Sequence, residues 1–292
     1  MDSKRIRKLK REIINTVPKF PNNKATKEDL ESKQLTDLLI VYLNWAARLI
    51  TPRARKVEIE SEVTNDDRWD SISSSFSSLR EKIENGDDLT PHLSLKAQEK
   101  GYTPAASESG SAADKWADKD FLLNIMGFYH FHLGEINEGG KNISERSPDL
   151  TPDLIFARVD KFIFRAIGIF NHSVFKPTNS VPKEMSSERR RLWQIFDKYV
   201  TQGVPTGGIV IPAMITTSGH RLQIVQLAQE YFRIIKEIDS KLDDRAFVKS
   251  FFEDTDITPP KEPKLNWYFR GTDLGIFDKA TSLFFVCKYG IN

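Results

Sequence analysis

Two strand-like segments separated by only two residues constrain this chain more than anything else in it. They are Asp153-Leu154-Ile155-Phe156-Ala157-Arg158-Val159 and Phe162-Ile163-Phe164-Arg165-Ala166-Ile167-Gly168-Ile169-Phe170, with Asp160-Lys161 between them. Both are rich in β-branched and aromatic residues. So short a connection leaves no room for a crossover, and the pair reads as an antiparallel hairpin, although Asp-Lys is a weaker turn signal than Asn-Gly. Upstream, Phe128-Tyr129-His130-Phe131-His132-Leu133-Gly134 fits a third strand. A period of two sends Tyr129, Phe131 and Leu133 to one face and His130 and His132 to the other. The three segments form a meander with one apolar face.

Around this sheet the periodicity is helical. Ile6, Leu9, Ile13 and Ile14 form a short stripe that Pro18 and Pro21 end. A longer helix is expected from Thr26, its N-cap, through Leu30, Leu35, Leu38, Leu39, Tyr42, Leu43 and Leu49 to the stop at Thr51-Pro52. Val57 to Glu60 has the alternation of a short strand. Trp69, Ile72, Phe76, Leu79 and Ile83 mark another helix, with Asn85-Gly86 as its C-terminal stop. Later helices are expected at Asp114–Gly127, Ser187–Thr201 and Arg221–Leu242, and strands at Ile209–Ile215, Leu265–Arg270, Leu274–Phe277 and Ser282–Lys288. Pro104 to Ala113 has linker composition, which places a boundary or a long exposed loop there. The expected architecture is α+β: a helical N-terminal region over 1–105, then a domain over 106–292 in which an antiparallel sheet packs on helices.

Charge is distributed unevenly. Residues 1–60 hold 14 Lys and Arg against 8 Asp and Glu, whereas residues 61–126 hold 7 against 13. The basic head includes Lys4, Arg5, Arg7 and Lys8, and Arg53, Arg55 and Lys56 add a second cluster. Such patches contact phosphates, so these residues are candidate nucleic-acid ligands. Arg189-Arg190-Arg191 reads as a wet helix face. The single cysteine, Cys287, excludes an intramolecular disulfide and a thiolate zinc site, and a reducing cytoplasm fits best. No apolar run approaches the roughly 20 residues of a membrane span, so no membrane partner is expected. Gly207-Gly208 does not make a phosphate loop, and no nucleotide cofactor motif occurs, so no cofactor is expected.

The histidines carry the candidate chemistry. His130 and His132 share a strand face, and His172, just beyond the hairpin, returns toward them. Three imidazoles suit a metal, but no carboxylate stands at a ligand spacing and no His-Glu-x-x-His pattern is present. Metal-independent cleavage of RNA needs a base, an acid and a phosphate cation, which His130, His132 and His172 with Arg146, Arg158 and Arg165 would supply. Parity places Arg165 and His172 on opposite faces unless the strand carries a bulge. In a third reading the histidines only line a solvated or hydrogen-bonded sheet face. His92 and His220 read as capping or surface residues.

Several segments, Tyr42-Leu43-Asn44-Trp45 with Pro52-Arg53, Asp87 to Ser94, Asp120 to Asn124, His130-Phe131-His132-Leu133-Gly134 and Leu154 to Arg158, resemble an uncharacterised family of bacterial proteins scattered in mobile and accessory genome regions. The order His132-Leu133-Gly134, Leu154 to Val159, Ile163 to His172 is also similar to that of the RelE/HigB-like ribonuclease toxins. That resemblance implies a toxin-like ribonuclease of a bacterial defence or toxin–antitoxin locus, acting on RNA and held by an antitoxin or other protein partner. The alternative is a non-catalytic module that binds protein or nucleic acid.

Overall fold

The computed structural model describes residues 2–104, 120–134, 153–175, 185–205, 207–208, 214–253 and 255–292. The chain forms two compact units, each assembled from separated stretches: Met1–Ala47, Glu99–Lys119 and His220–Asn292 make one, Arg48–Gln98 and Asp120–Gly219 the other. Neither coincides with the expected regions 1–105 and 106–292. The chain leaves the first unit near residue 48 and re-enters it later, so no single boundary divides the sequence. The linker composition of 105–113 lies outside the described residues.

The first unit begins with α1 (Lys4–Thr16), α2 (Lys24–Ser32) and α3 (Leu35–Ala46). The single helix expected from Thr26 is therefore two. Asn23 caps α2 by accepting from Thr26 N, and the backbone is extended at Lys33 and Gln34, where the apolar stripe lapses between Leu30 and Leu35.

The second unit contributes β1 (Lys56–Ile59), α4 (Ser61–Thr64), α5 (Trp69–Asn85), α6 (Leu95–Glu99, its last residue in the first unit), α7 (Phe121–Met126), β2 (Tyr129–His132), β3 (Asp153–Val159), β4 (Ile163–Asn171) and α8 (Ser187–Thr201). The first unit closes with α9 (Leu222–Ile238), α10 (Arg245–Ser250) and the strands β5 (Leu265–Arg270), β6 (Asp273–Asp278) and β7 (Leu283–Lys288). The strand expected at Ile209–Ile215 and the first turns of the helix expected from Asp114 fall largely outside the described residues.

In the first unit β5, β6 and β7 form an antiparallel meander. Its side chains pack with α1, α3 and α9 through Leu9, Leu38, Leu39, Ala228, Trp267 and Ile276. Two phenols pin the β5–β6 turn: Tyr42 Oη donates to Gly271 O at 2.9 Å and Tyr231 Oη to Thr272 O at 2.7 Å. Burial pushes both phenols above their ordinary pKa.

The second unit holds a four-stranded sheet of order β1-β4-β3-β2. The meander β2-β3-β4 is antiparallel as expected, and β1 joins it in parallel alongside β4, with Glu58 opposite Arg165. The sheet is therefore mixed rather than purely antiparallel. Asp160 explains the hairpin turn, because its carboxylate accepts from the backbone N–H groups of Phe162 and Ile163, both at 2.8 Å.

Helices cover both faces. Phe131, Ile155, Phe164 and Ile169 meet Phe76, Leu79 and Ile83 of α5, while Leu154, Phe156 and Phe170 meet Leu192, Ile195 and Phe196 of α8. The alternation was legible, but the face opposite Phe131 is a second core face and not a solvated one.

Gly86 ends α5 with φ of +79°, and a Cβ there would stand 2.5 Å from Ala54 N and 2.8 Å from Arg53 C. We expect Gly86→Ala to lower stability by about 2 kcal/mol, from left-handed strain plus the clash with that backbone. A urea midpoint indistinguishable from that of the parent would contradict this packing.

Candidate functional site

Four of the five histidines gather on the second unit's sheet. His130 and His132 stand on adjacent same-face positions of β2, opposite Phe156 and Leu154 of β3. Their ring centroids are 6.0 Å apart, and that of His172 lies 5.6 Å from His132. His172 follows two residues after Phe170, which lies across Leu154 from His132, and the bulge that parity required to put Arg165 on the same face is present in β4: Phe156 pairs with Gly168 but Ala157 with Ala166, leaving Ile167 as the extra residue.

The fourth member is His92, expected to be a capping or surface residue and found buried at 3% exposure. It ends a short 3-10 turn, Thr90–His92. Its Nδ1 lies 3.0 Å from His132 O, and Lys82 Nζ lies 3.4 Å from its Nε2. A carbonyl only accepts and an ammonium only donates, so Nδ1 carries the proton and Nε2 accepts. The ring is held neutral in a single tautomer. Only its place between the core residues Leu89 and Leu93 hinted at burial, and nothing in the sequence pairs it with β2.

Burial governs the protonation of this cluster. His132 is 3% exposed, and desolvation, helped by the fields of His130, His172 and His92, takes its pKa down to about 3. His130 is half-buried between the rings of Phe156 and Phe175, at 5.8 and 4.9 Å, and desolvation lowers it despite the opposing field of Asp120. Desolvation also lowers His92. His172 alone of the four is exposed. A general base or acid works best when its pKa is near the working pH, and His132 is far from that. Among the described residues no three His, Cys, Asp or Glu side chains are placed to hold a metal ion.

The candidate phosphate cations share the histidine face but stand away from His172: Arg158 is two positions along β3 from Phe156, the partner of His130, and Arg165 pairs with Arg158 on β4. Arg165 is seven residues from His172, roughly 20 Å along the strand. Its Nε and Nη2 donate to Glu58 Oε2 at 2.9 and 2.6 Å, and these bonds raise its pKa. Arg158 is exposed and stacks over Tyr199, 5.3 Å from the ring centroid. Arg146 lies outside the described residues. Arg165 is thus an internal ion-pair partner and not an anchor beside the histidines.

The second basic cluster dissolves in the same way. Arg55 is buried and donates to the carbonyls of Thr51, Arg53 and Asp160. It is a strut between the β1 entry and the hairpin turn. Lys56 pairs with Glu58 at 3.0 Å, and Arg53 is half-buried. Arg191, expected on a wet face, reaches Asp66 at 2.7 Å and covers the Phe170 ring. Cys287 is partly buried, and desolvation raises its thiol to about 11, which makes it a poor nucleophile.

The basic head divides in two. Arg5 turns inward: Nε lies 3.1 Å from Asp239 Oδ1, which also accepts from Trp267 Nε1, and Nη1 lies 2.8 Å from Asp243 Oδ1. Lys8 donates to Asn266 Oδ1 at 2.6 Å and lies near Glu12. These two cations belong to the fold.

Lys4, Arg7 and Arg11 are exposed on another face of α1, and among the described residues they form no ion pair. With Lys10, Ile14 and Asn15 of α1 and Lys27 and Glu31 of α2 they line a groove of about 730 Å³. Lys10 approaches Asp2 at 3.8 Å and Lys27 approaches Glu31 at 3.7 Å.

This arrangement works against the helix that carries it. No acidic residue stands in the first turn of α1, so Lys4, Arg5 and Arg7 face the positive end of the helix dipole. Arg7 and Arg11, like Lys4 and Lys8, repel at a separation of four residues. Together these effects oppose α1 by about 1–2 kcal/mol. A polyanion in the groove would reverse their sign. No protein-family model, curated protein or solved structure matches the chain.

Proposed function

We propose that the protein is a non-catalytic nucleic-acid-binding module that holds phosphates in the groove between α1 and α2. The observation that carries this reading is the uncompensated stripe of Lys4, Arg7 and Arg11, flanked by Lys10 and Lys27. Cations that oppose their own helix and lack acidic partners are matched by a ligand of opposite charge. The ribonuclease reading is supported less well. It needs proton exchange near neutral pH between His130 and His132, whose pKa values burial depresses, and a phosphate cation, whereas Arg165 is spent on Glu58 and Arg158 lies over the Tyr199 ring.

The test is a charge reversal, Lys4→Glu with Arg7→Glu and Arg11→Glu. All three side chains are exposed, and acidic residues at positions 4 and 7 suit the first turn of the helix, so the variant should fold as well as the parent. Affinity for a labelled nucleic acid at about 0.1 M salt should fall on the order of 10²–10³-fold, close to tenfold for each phosphate contact removed. An unchanged affinity would refute the assignment. His130→Ala and His132→Ala should leave binding intact, and RNA cleavage abolished by either would favour the ribonuclease instead.

A further inference from the structure

Resting on that reading, we infer that the groove takes one sugar-phosphate strand of a double-stranded nucleic acid and reads its backbone without reading its bases. The first support is spacing. Lys4, Arg7 and Arg11 lie on a rigid helix that rises 1.5 Å per residue, so the stripe spans about 10 Å. A duplex presents one phosphate per strand for each roughly 3.4 Å of its axis, and the stripe therefore faces about three consecutive phosphates. A fixed ladder of cations suits a fixed ladder of anions better than the variable spacing of a single strand.

The second support is what lines the groove. Among the described residues that line it, Ile14 is the only apolar one and none is aromatic. Proteins that hold single strands without sequence preference rely on aromatic side chains on which bases stack. Among the described lining residues the one uncharged polar side chain is Asn15, too little to read a run of base edges. The third support is the fate of the apolar face of α1. Ile6, Leu9, Ile13 and Ile14 are all buried in the core of the first unit, so no wedge remains to part base pairs or to enter a lipid surface.

The experiment uses the full chain with a blunt 20-base-pair DNA duplex, the matching RNA duplex, each separated strand, oligo(dT) of equal length, and vesicles rich in anionic lipid. Either duplex should bind at least tenfold tighter than its separated strands and than oligo(dT), with equal affinity for a duplex of scrambled sequence. The slope of log K against log salt should lie near −3, as about three phosphate contacts require, and should fall toward zero in the charge-reversed variant. If oligo(dT) or a separated strand binds as tightly as the duplex, or if scrambling changes affinity tenfold, the duplex-backbone inference is overturned while nucleic-acid binding stands. If no nucleic acid binds, or only the vesicles do, both fall.

Discussion

Replacing Arg68 by methionine is expected to lower the folding free energy by about 2–3 kcal/mol, below the range of about 3–5 kcal/mol for a fully buried ion pair because this cluster is only partly buried. Arg68 closes a carboxylate cluster in the second unit. Its Nε and Nη2 donate to the two oxygens of Asp66 at 2.8 and 2.9 Å, Nη1 to Glu188 Oε1 at 2.9 Å, and Nη2 also to Ile169 O at 2.7 Å. Asp153 stands 3.6 Å from Nη1. One guanidinium thus joins the α4–α5 connection, the end of β4 and the first turn of α8.

Burial pushes the Asp66 carboxyl up, but the bonds from Arg68 and the field of Arg191 outweigh it and hold the pKa below the ordinary value. Asp153, with burial the larger influence, is raised. Methionine would leave Asp66 and Glu188 largely desolvated with only Arg191 to face them. The check is a urea titration of Arg68→Met beside Arg80→Met, whose partner Glu84 forms an exposed pair across one helical turn and contributes about 0.5 kcal/mol at most. Adding Asp66→Asn to Arg68→Met should recover part of the loss, because the orphaned charge goes with it. Equal losses for the two single variants would show that the cluster has no special energetic weight.

Much of this architecture was legible because it rests on local periodicity. Leu192 and Phe196 marked α8, Asn85-Gly86 marked the end of α5, and the two-residue spacing around Asp160 marked the hairpin. What escaped depends on partners far away in sequence. Arg5 and Arg7 look alike in the chain, yet Asp239 and Asp243, more than 230 residues on, make one a part of the fold and leave the other exposed. Arg165 looked like a phosphate anchor until β1, a strand with no neighbour in sequence, brought Glu58 alongside it. His130 and His132 were correctly placed on one face. That face was taken as open because a period of two shows alternation but not what lies above each side, and α8 lies above this one.

The histidine cluster should make the second unit sensitive to mild acid. A histidine whose folded pKa is depressed stays neutral in the native state while the unfolded chain takes up a proton near pH 6.5. Its destabilising effect is therefore absent well above pH 6.5 and grows as pH falls, until the folded pKa is reached. For His132, from about 6.5 to about 3, the eventual loss is about 4–5 kcal/mol. His130 and His92 shift in the same direction.

His132 alone takes up to one proton on unfolding, about 1.4 kcal/mol per pH unit between pH 6 and 5, and His130 and His92 add to the slope in the same direction. The depressed carboxylates Glu58, Glu62, Asp66 and Asp243 act only below about pH 4.5, so the two effects separate along the titration. Hydrogen exchange of the β3 and β4 amides at pH 7.5, 6.5 and 5.5, corrected for intrinsic rates, reads the stability of this unit directly. Protection should fall steeply across the last interval, and His132→Leu should reduce the slope by one proton. Protection independent of pH from 7.5 to 5.5 would mean that the imidazoles are solvated and able to charge in the native state, and would restore them as candidates for acid–base chemistry.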